Sequence, residues 1–116
     1  MLVVEDEIIV RQSIAGYLRD GGWSVLEAAS GDAAKAIFLS GAAIDIVFSD
    51  VQMPGAMDGI GLARWVHDNH AGTSVLLTSG VAVMSGIPED VCPQNSIFRK
   101  PYACEAVAAR MHALLT

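Results

Sequence analysis

A continuous apolar run, Ile46-Val47-Phe48, closed by Ser49 and Asp50, restricts the fold of this chain more than any other stretch. A strand with one wet face alternates apolar and polar residues. An unbroken run marks a strand covered on both faces, as in parallel sheets. The run leads into Gln52-Met53-Pro54-Gly55, a loop with a Pro-Gly turn signal. A helical pattern begins after Asp58. An aspartate at the carboxyl end of such a strand is held at the surface by a rigid sheet, with its side chain free to react.

The same strand–turn–helix unit recurs along the chain. Apolar runs predict strands over 2–4, 23–28, 45–49, 74–78 and 96–98. Helical spacing predicts helices over 7–20, 30–41, 59–69 and 103–115. In the first, Ile8, Val10, Ile14, Tyr17 and Leu18 form the expected inner stripe, and Gly21-Gly22 ends it. Ser30 is placed to cap the second helix, with Asp32 in its first turn where the dipole favours negative charge. The start of the last helix carries no Ser, Thr, Asp or Asn cap. Between 81 and 95, Gly86, Pro88 and Pro93 break any long helix, so only a short one near 81–85 is expected. Val81-Ala82-Val83-Met84 could form an exposed partner patch. The expectation is a doubly wound α/β fold: a five-stranded parallel sheet with about five helices on its two faces, the fourth short or irregular.

Composition narrows the class. At 116 residues the chain has room for a single domain, 1–116, and 53% hydrophobic residues argue against disorder. No apolar run approaches the ~18 residues of a membrane span, and no basic segment precedes an apolar one as in a signal peptide. The net charge of −6 argues against direct binding to nucleic acid. Cys92 and Cys104 lack metal-type spacing and read as free thiols. His67, His70 and His112 also lack metal spacing and read as surface or partly buried residues. A cytoplasmic location is expected.

The polar residues that need explaining fall at strand ends. Glu5 and Asp6 follow the first strand, Asp50 the third, Thr78 the fourth and Lys100 the fifth. In open α/β sheets, ligands bind at those ends. Three carboxylates in one cleft repel, and each raises the others' pKa. A hard divalent cation removes that cost, and oxygen ligands with retained waters suit Mg²⁺. Lys100 adds a fixed positive charge and Thr78 a hydroxyl donor. A carboxylate nucleophile, Mg²⁺, an ammonium and a hydroxyl together meet the needs of phosphoryl transfer to Asp50.

These residues resemble a known family. Leu2-Val3-Val4-Glu5-Asp6-Glu7, Ser49-Asp50-Val51-Gln52-Met53-Pro54-Gly55, Met57-Asp58-Gly59, Leu77-Thr78-Ser79-Gly80 and Lys100-Pro101-Tyr102 are similar, in order and across the whole chain, to the CheY-like receiver domain of two-component response regulators. The resemblance implies a flavodoxin-like sheet of strand order 2-1-3-4-5. It implies that Asp50 accepts a phosphoryl group, and that Asp6, Glu5, Asp50 and the carbonyl of Gln52 hold Mg²⁺. It further implies that Thr78 and Lys100 contact the phosphoryl oxygens and that the Lys100-Pro101 bond is cis. The implied donor is a phosphohistidine on a histidine kinase or histidine phosphotransfer protein. The implied reader is a downstream protein or an attached output domain. Such a domain catalyses only its own phosphorylation and dephosphorylation.

Two departures stand out. Ala56 is added to the loop after Asp50, and Ile97 occupies a position that is usually aromatic in the family. Ile97 and the irregular stretch before it leave a receiver-like binding module that works without phosphate as an alternative reading. A phosphatase with an aspartyl-phosphate intermediate is a further one, weakened because Gln52 stands where such enzymes carry an acid.

Overall fold

The computed structural model describes residues 1–53, 55, 57–80, 90, 92–93 and 96–115. Among these residues, nine elements follow one another: β1 (Leu2–Val4), α1 (Ile8–Asp20), β2 (Leu26–Ala28), α2 (Gly31–Leu39), β3 (Ile46–Asp50), α3 (Gly59–Asn69), β4 (Ser74–Ser79), β5 (Ile97–Arg99) and α4 (Cys104–Leu115). The strands form one parallel sheet in the order β2-β1-β3-β4-β5. This is the flavodoxin-like arrangement expected. The helix anticipated near 81–85, the apolar stretch 81–84 and the added Ala56 lie outside the described residues.

Successive strand residues point to opposite faces, and the core divides accordingly. Leu2, Val4, Val47, Val75 and Leu77 pack on one side with Ala34, Phe38, Leu62, Ala63 and Val66 from α2 and α3. Val3, Ile46, Phe48 and Leu76 pack on the other with Ile14, Leu18, Val107 and Met111 from α1 and α4. Both faces of β3 are filled, which is why its sequence is unbroken by polar residues until Ser49. Burying each large side chain stabilises the fold by roughly 1.5–3 kcal/mol.

The helix starts are built as their sequences suggest. Ser30 Oγ accepts a bond from the Ala33 N–H at 3.0 Å. Asp58 Oδ1 accepts one from Gly61 at 2.8 Å. α1 has Glu7 at its N-cap without a side-chain bond, and just past its end Gly22 takes a φ of 95° that suits glycine.

Two expectations are corrected. β2 spans three residues rather than 23–28, because Trp23 and Val25 pack against the α1/α4 side of the core instead of joining the edge strand. In α1 only Ile14, Ala15 and Leu18 are buried, while Ile8 and Tyr17 are exposed. Ile8 opens the helix just beyond the sheet's carboxyl end, where there is no core to enter.

Candidate functional site

Strand register assembles the site. Asp50 closes β3 directly beside Thr78 of β4. Val4 lies beside Ser49, so Glu5 comes off β1 next to Asp50. Ser79 lies beside Arg99, and the Lys100 N–H donates to the Ser79 carbonyl at 2.9 Å, which brings Lys100 to the same rim. The Lys100–Pro101 peptide is cis. Four strands thus deliver Glu5, Asp50, Thr78 and Lys100 to one place.

The side chains meet there. Lys100 Nζ donates to Asp50 Oδ2 at 2.8 Å and lies 3.6 Å from Glu5 Oε2. Asp50 Oδ1 accepts the Gln52 N–H at 3.2 Å. Glu5 Oε1 accepts the Glu7 N–H at 3.1 Å. Glu5 and Asp50 are buried, whereas Asp6 is exposed. One carboxylate oxygen from each of Glu5, Asp6 and Asp50 lies within 4.8 Å of the others. Three acids against one ammonium leave excess negative charge, and all the clustered atoms are hard oxygens. With Asp6 open to water, this donor set fits Mg²⁺ with retained waters.

Electrostatics follow from that crowding. Burial, reinforced by the Asp50 charge, pushes the Glu5 carboxyl up to about 7, against an opposing bond from the Glu7 amide. Burial alone would lower Lys100, but its hydrogen bond to Asp50 and the nearby acids outweigh it and hold the ammonium above its ordinary range. Among the described residues, Thr78 Oγ1 is the buried side-chain oxygen with no hydrogen-bond partner. An unpaired buried hydroxyl costs stability, which points to a ligand that would use it.

The start of α3 is tightly seated against the end of β3. A Cβ on Gly59 would overlap the Asp50 carbonyl oxygen and approach Val51 Cα within 2.6 Å. Only glycine lets α3 start against the end of β3, with the Gly59 N–H donating to the Val51 carbonyl at 2.8 Å. Gly31 is also confined, since a Cβ there would lie 2.5 Å from the Met57 carbonyl oxygen.

Ile97 is buried among the α2/α3-side residues. The rings near this rim are instead Phe98 and Tyr102, both edge-on to Phe48 at centroid distances of 6.4 and 5.3 Å. Sequence reasoning missed Tyr102 as part of a groove of about 670 Å³ that also includes Ile9, Val10 and Lys100. It also missed Arg11, which donates to the Glu5 carbonyl at 2.9 Å. An arginine early in a helix carries no distinguishing signal, whereas Ile9, an apolar residue off the inner stripe of its helix, could have marked the groove.

Comparison with known proteins gives a consistent picture. The family model for the response regulator receiver domain matches residues 1–89. The chain is similar to the transcriptional regulatory protein ResD of Bacillus subtilis, 30% identical over 115 residues that cover 99% of this chain and 47% of ResD. It is also similar to the sensor kinase CckA of Brucella abortus, 34% identical over 119 residues that cover 99% of this chain and 12% of CckA. The chain therefore spans about half the length of the first relative and far less of the second. Among solved structures, the receiver domain of NtrX from Brucella abortus matches with a TM-score of 0.84 at 26% identity, covering 98% of this chain and 96% of that one.

Proposed function

Because this chain belongs to the response regulator receiver domain family of two-component systems, we propose that its Asp50 accepts a phosphoryl group from a phosphohistidine on a histidine kinase or phosphotransfer protein. The observation that carries the reading is the meeting of Asp50 with Glu5, Asp6 and Lys100 at adjoining strand ends. Residues 1–116 act as one receiver domain, in the cytoplasm.

Glu5, Asp6, Asp50 and the carbonyl of Gln52 would hold Mg²⁺. When bound, the ion supplies neutralisation of the phosphoryl and carboxylate oxygens. The residues do the rest. An Asp50 oxygen forms the new P–O bond as the P–N bond breaks, and the electron pair of that bond passes to the imidazole. Lys100, already 2.8 Å from Asp50, stays beside the added group and pairs with one of its oxygens. Thr78 Oγ1 donates to another and so gains the partner it lacks among the described residues. The modification adds about −1.5 to −2 charge, which shifts the balance between two surface arrangements. Ile97 offers no ring to rotate, so the readout runs through Thr78 and its neighbours. The groove beside Lys100, rimmed by the exposed Ile9, is the seat for the donor protein. A downstream protein or an attached output domain reads the change.

Incubation with a small phosphodonor and Mg²⁺ is expected to add one phosphoryl group, seen by intact mass. Asp50→Asn and chelation of Mg²⁺ should each abolish it. Equal labelling of the wild type and Asp50→Asn would overturn the assignment.

A further inference from the structure

Glu5 is fixed at three points. Its N–H donates to the Ala28 carbonyl at 3.0 Å, continuing the β1–β2 pairing. Its carboxylate accepts the Glu7 N–H. Its carbonyl, which lies ahead of α1, accepts Arg11 Nη1 at 2.9 Å. The first joins main-chain groups, and the second uses Glu5's own carboxylate. The third depends on one side chain, and that side chain is itself held. Arg11 Nε donates to Glu27 Oε1 at 3.2 Å, and the Arg11 side chain is only 15% exposed. Glu27 is the middle residue of β2, level with Val3 of β1. Its other oxygen pairs with Arg19 Nη1 at 2.9 Å, but Arg19 is 47% exposed and reaches no part of the acidic turn, ending instead on the Val25 carbonyl.

The placement of Arg11 is unexpected by charge alone. A guanidinium next to a cluster of acids opposes a bound cation. Its bond is not to a carboxylate of the cluster, however, but to the peptide that carries one. The planar fork lets one side chain span the Glu5 carbonyl and Glu27 together, which a lysine cannot do with the same geometry.

We infer that Arg11, braced by Glu27, is a positioning residue that holds the Glu5-Asp6 turn in register for the divalent cation. The inference rests on the Mg²⁺ reading given above. It makes the edge strand β2 part of the support of the metal site, although β2 supplies none of the three clustered acids.

The test is calorimetric titration of the full chain with Mg²⁺ alone, alongside thermal melting and initial phosphorylation rates across Mg²⁺ concentrations. Groups that orient metal ligands typically contribute about 10–100-fold in affinity. Arg11→Met is expected to weaken Mg²⁺ binding by about tenfold, at the low end of that range. Phosphorylation should recover to near the wild-type rate at saturating Mg²⁺. Arg19→Met, which removes the same charge, should leave affinity unchanged or slightly tighter. The sign is the discriminator, because loss of a positive charge by itself tightens cation binding. Should Arg11→Met not fold, Arg11→Lys keeps the charge and is still expected to weaken binding. Arg11 variants that bind Mg²⁺ as well as the wild type, with only a lower melting temperature, would overturn the inference. A wild-type chain that binds no Mg²⁺ would instead remove the functional reading on which it rests.

Discussion

The two ends of the sheet use polar residues in opposite ways. At the amino end, Thr73 Oγ1 donates to the Ile44 carbonyl at 2.8 Å, and the Ser74 N–H donates to the Asp45 carbonyl at 2.9 Å. Those groups tie loops to strands. At the carboxyl end, three acids face one ammonium, and the Thr78 hydroxyl has no partner among the described residues. The first end spends its hydrogen bonds on the fold. The second leaves charge and a donor uncompensated, which on the proposed reading a cation and a phosphoryl group would satisfy. A polar residue at a strand end is therefore interpretable only with its bonding: satisfied, it is structural, and unsatisfied, it points to a ligand.

Glycines offer the sharpest way to break this contrast. Gly59→Ala forces a Cβ into the Asp50 main chain, whereas a Cβ at Gly72 meets nothing within 4 Å. Overpacking of this kind costs about 1–3 kcal/mol, and backbone contact places Gly59→Ala at the upper end. Gly72→Ala should stay within about 0.5 kcal/mol of the wild type, as for other open surface sites. Chemical denaturation measures both. Equal stabilities would show that the α3 start can yield, and that Asp50 is less firmly seated than its packing implies.

The next effect is on pH. The Glu5 carboxyl, ordinarily near 4.5, is raised to about 7 in the fold. The folded chain thus keeps a proton that the unfolded chain releases between those values. Without metal, stability should fall as pH rises through that window and level off above it. Mg²⁺ competes with the same proton, so its affinity should rise about tenfold per pH unit up to about 7 and then flatten. Titrations from pH 5.5 to 8.5 would reveal the bend. A flat profile would place Glu5 outside the set of groups that meet the cation.

The smallest effect separates the two threonines. Thr73→Val leaves the Ile44 carbonyl without its donor and should cost about 1 kcal/mol, with phosphorylation unchanged. Thr78→Val removes a hydroxyl with no partner among the described residues, so the resting fold should be as stable as the wild type or slightly more so. Its expected defect is in the response to phosphorylation, measured as the change in amide shifts on adding beryllofluoride. A stability loss at Thr78 equal to that at Thr73 would erase the distinction between the ends.

Much of this was legible in the sequence, for a physical reason. Buried parallel strands are unbroken apolar runs, so Glu5, Asp50, Thr78 and Lys100 stand out as the points where those runs stop. The strand order then decides which stops are neighbours, and right-handed crossovers leave few orders to choose from. What stayed hidden depends on features the pattern does not encode. Ile8 keeps the helical period yet lies past the sheet's edge and is exposed. Trp23 and Val25 look like strand residues, but they serve the core beside α1 and α4. The Arg11–Glu27 pair joins residues 16 apart in sequence, and neither is unusual for its element.

The bond between Lys100 and Asp50 joins residues 50 positions apart, and the acids it neutralises begin at residue 5. During synthesis the carboxylates emerge well before the only ammonium that faces them among the described residues. Until β5 docks, the growing rim is a cluster of like charges that resists closing. On the proposed reading, competence to accept phosphate is acquired only once β5 has docked, so the modification would report that the five-stranded sheet has closed.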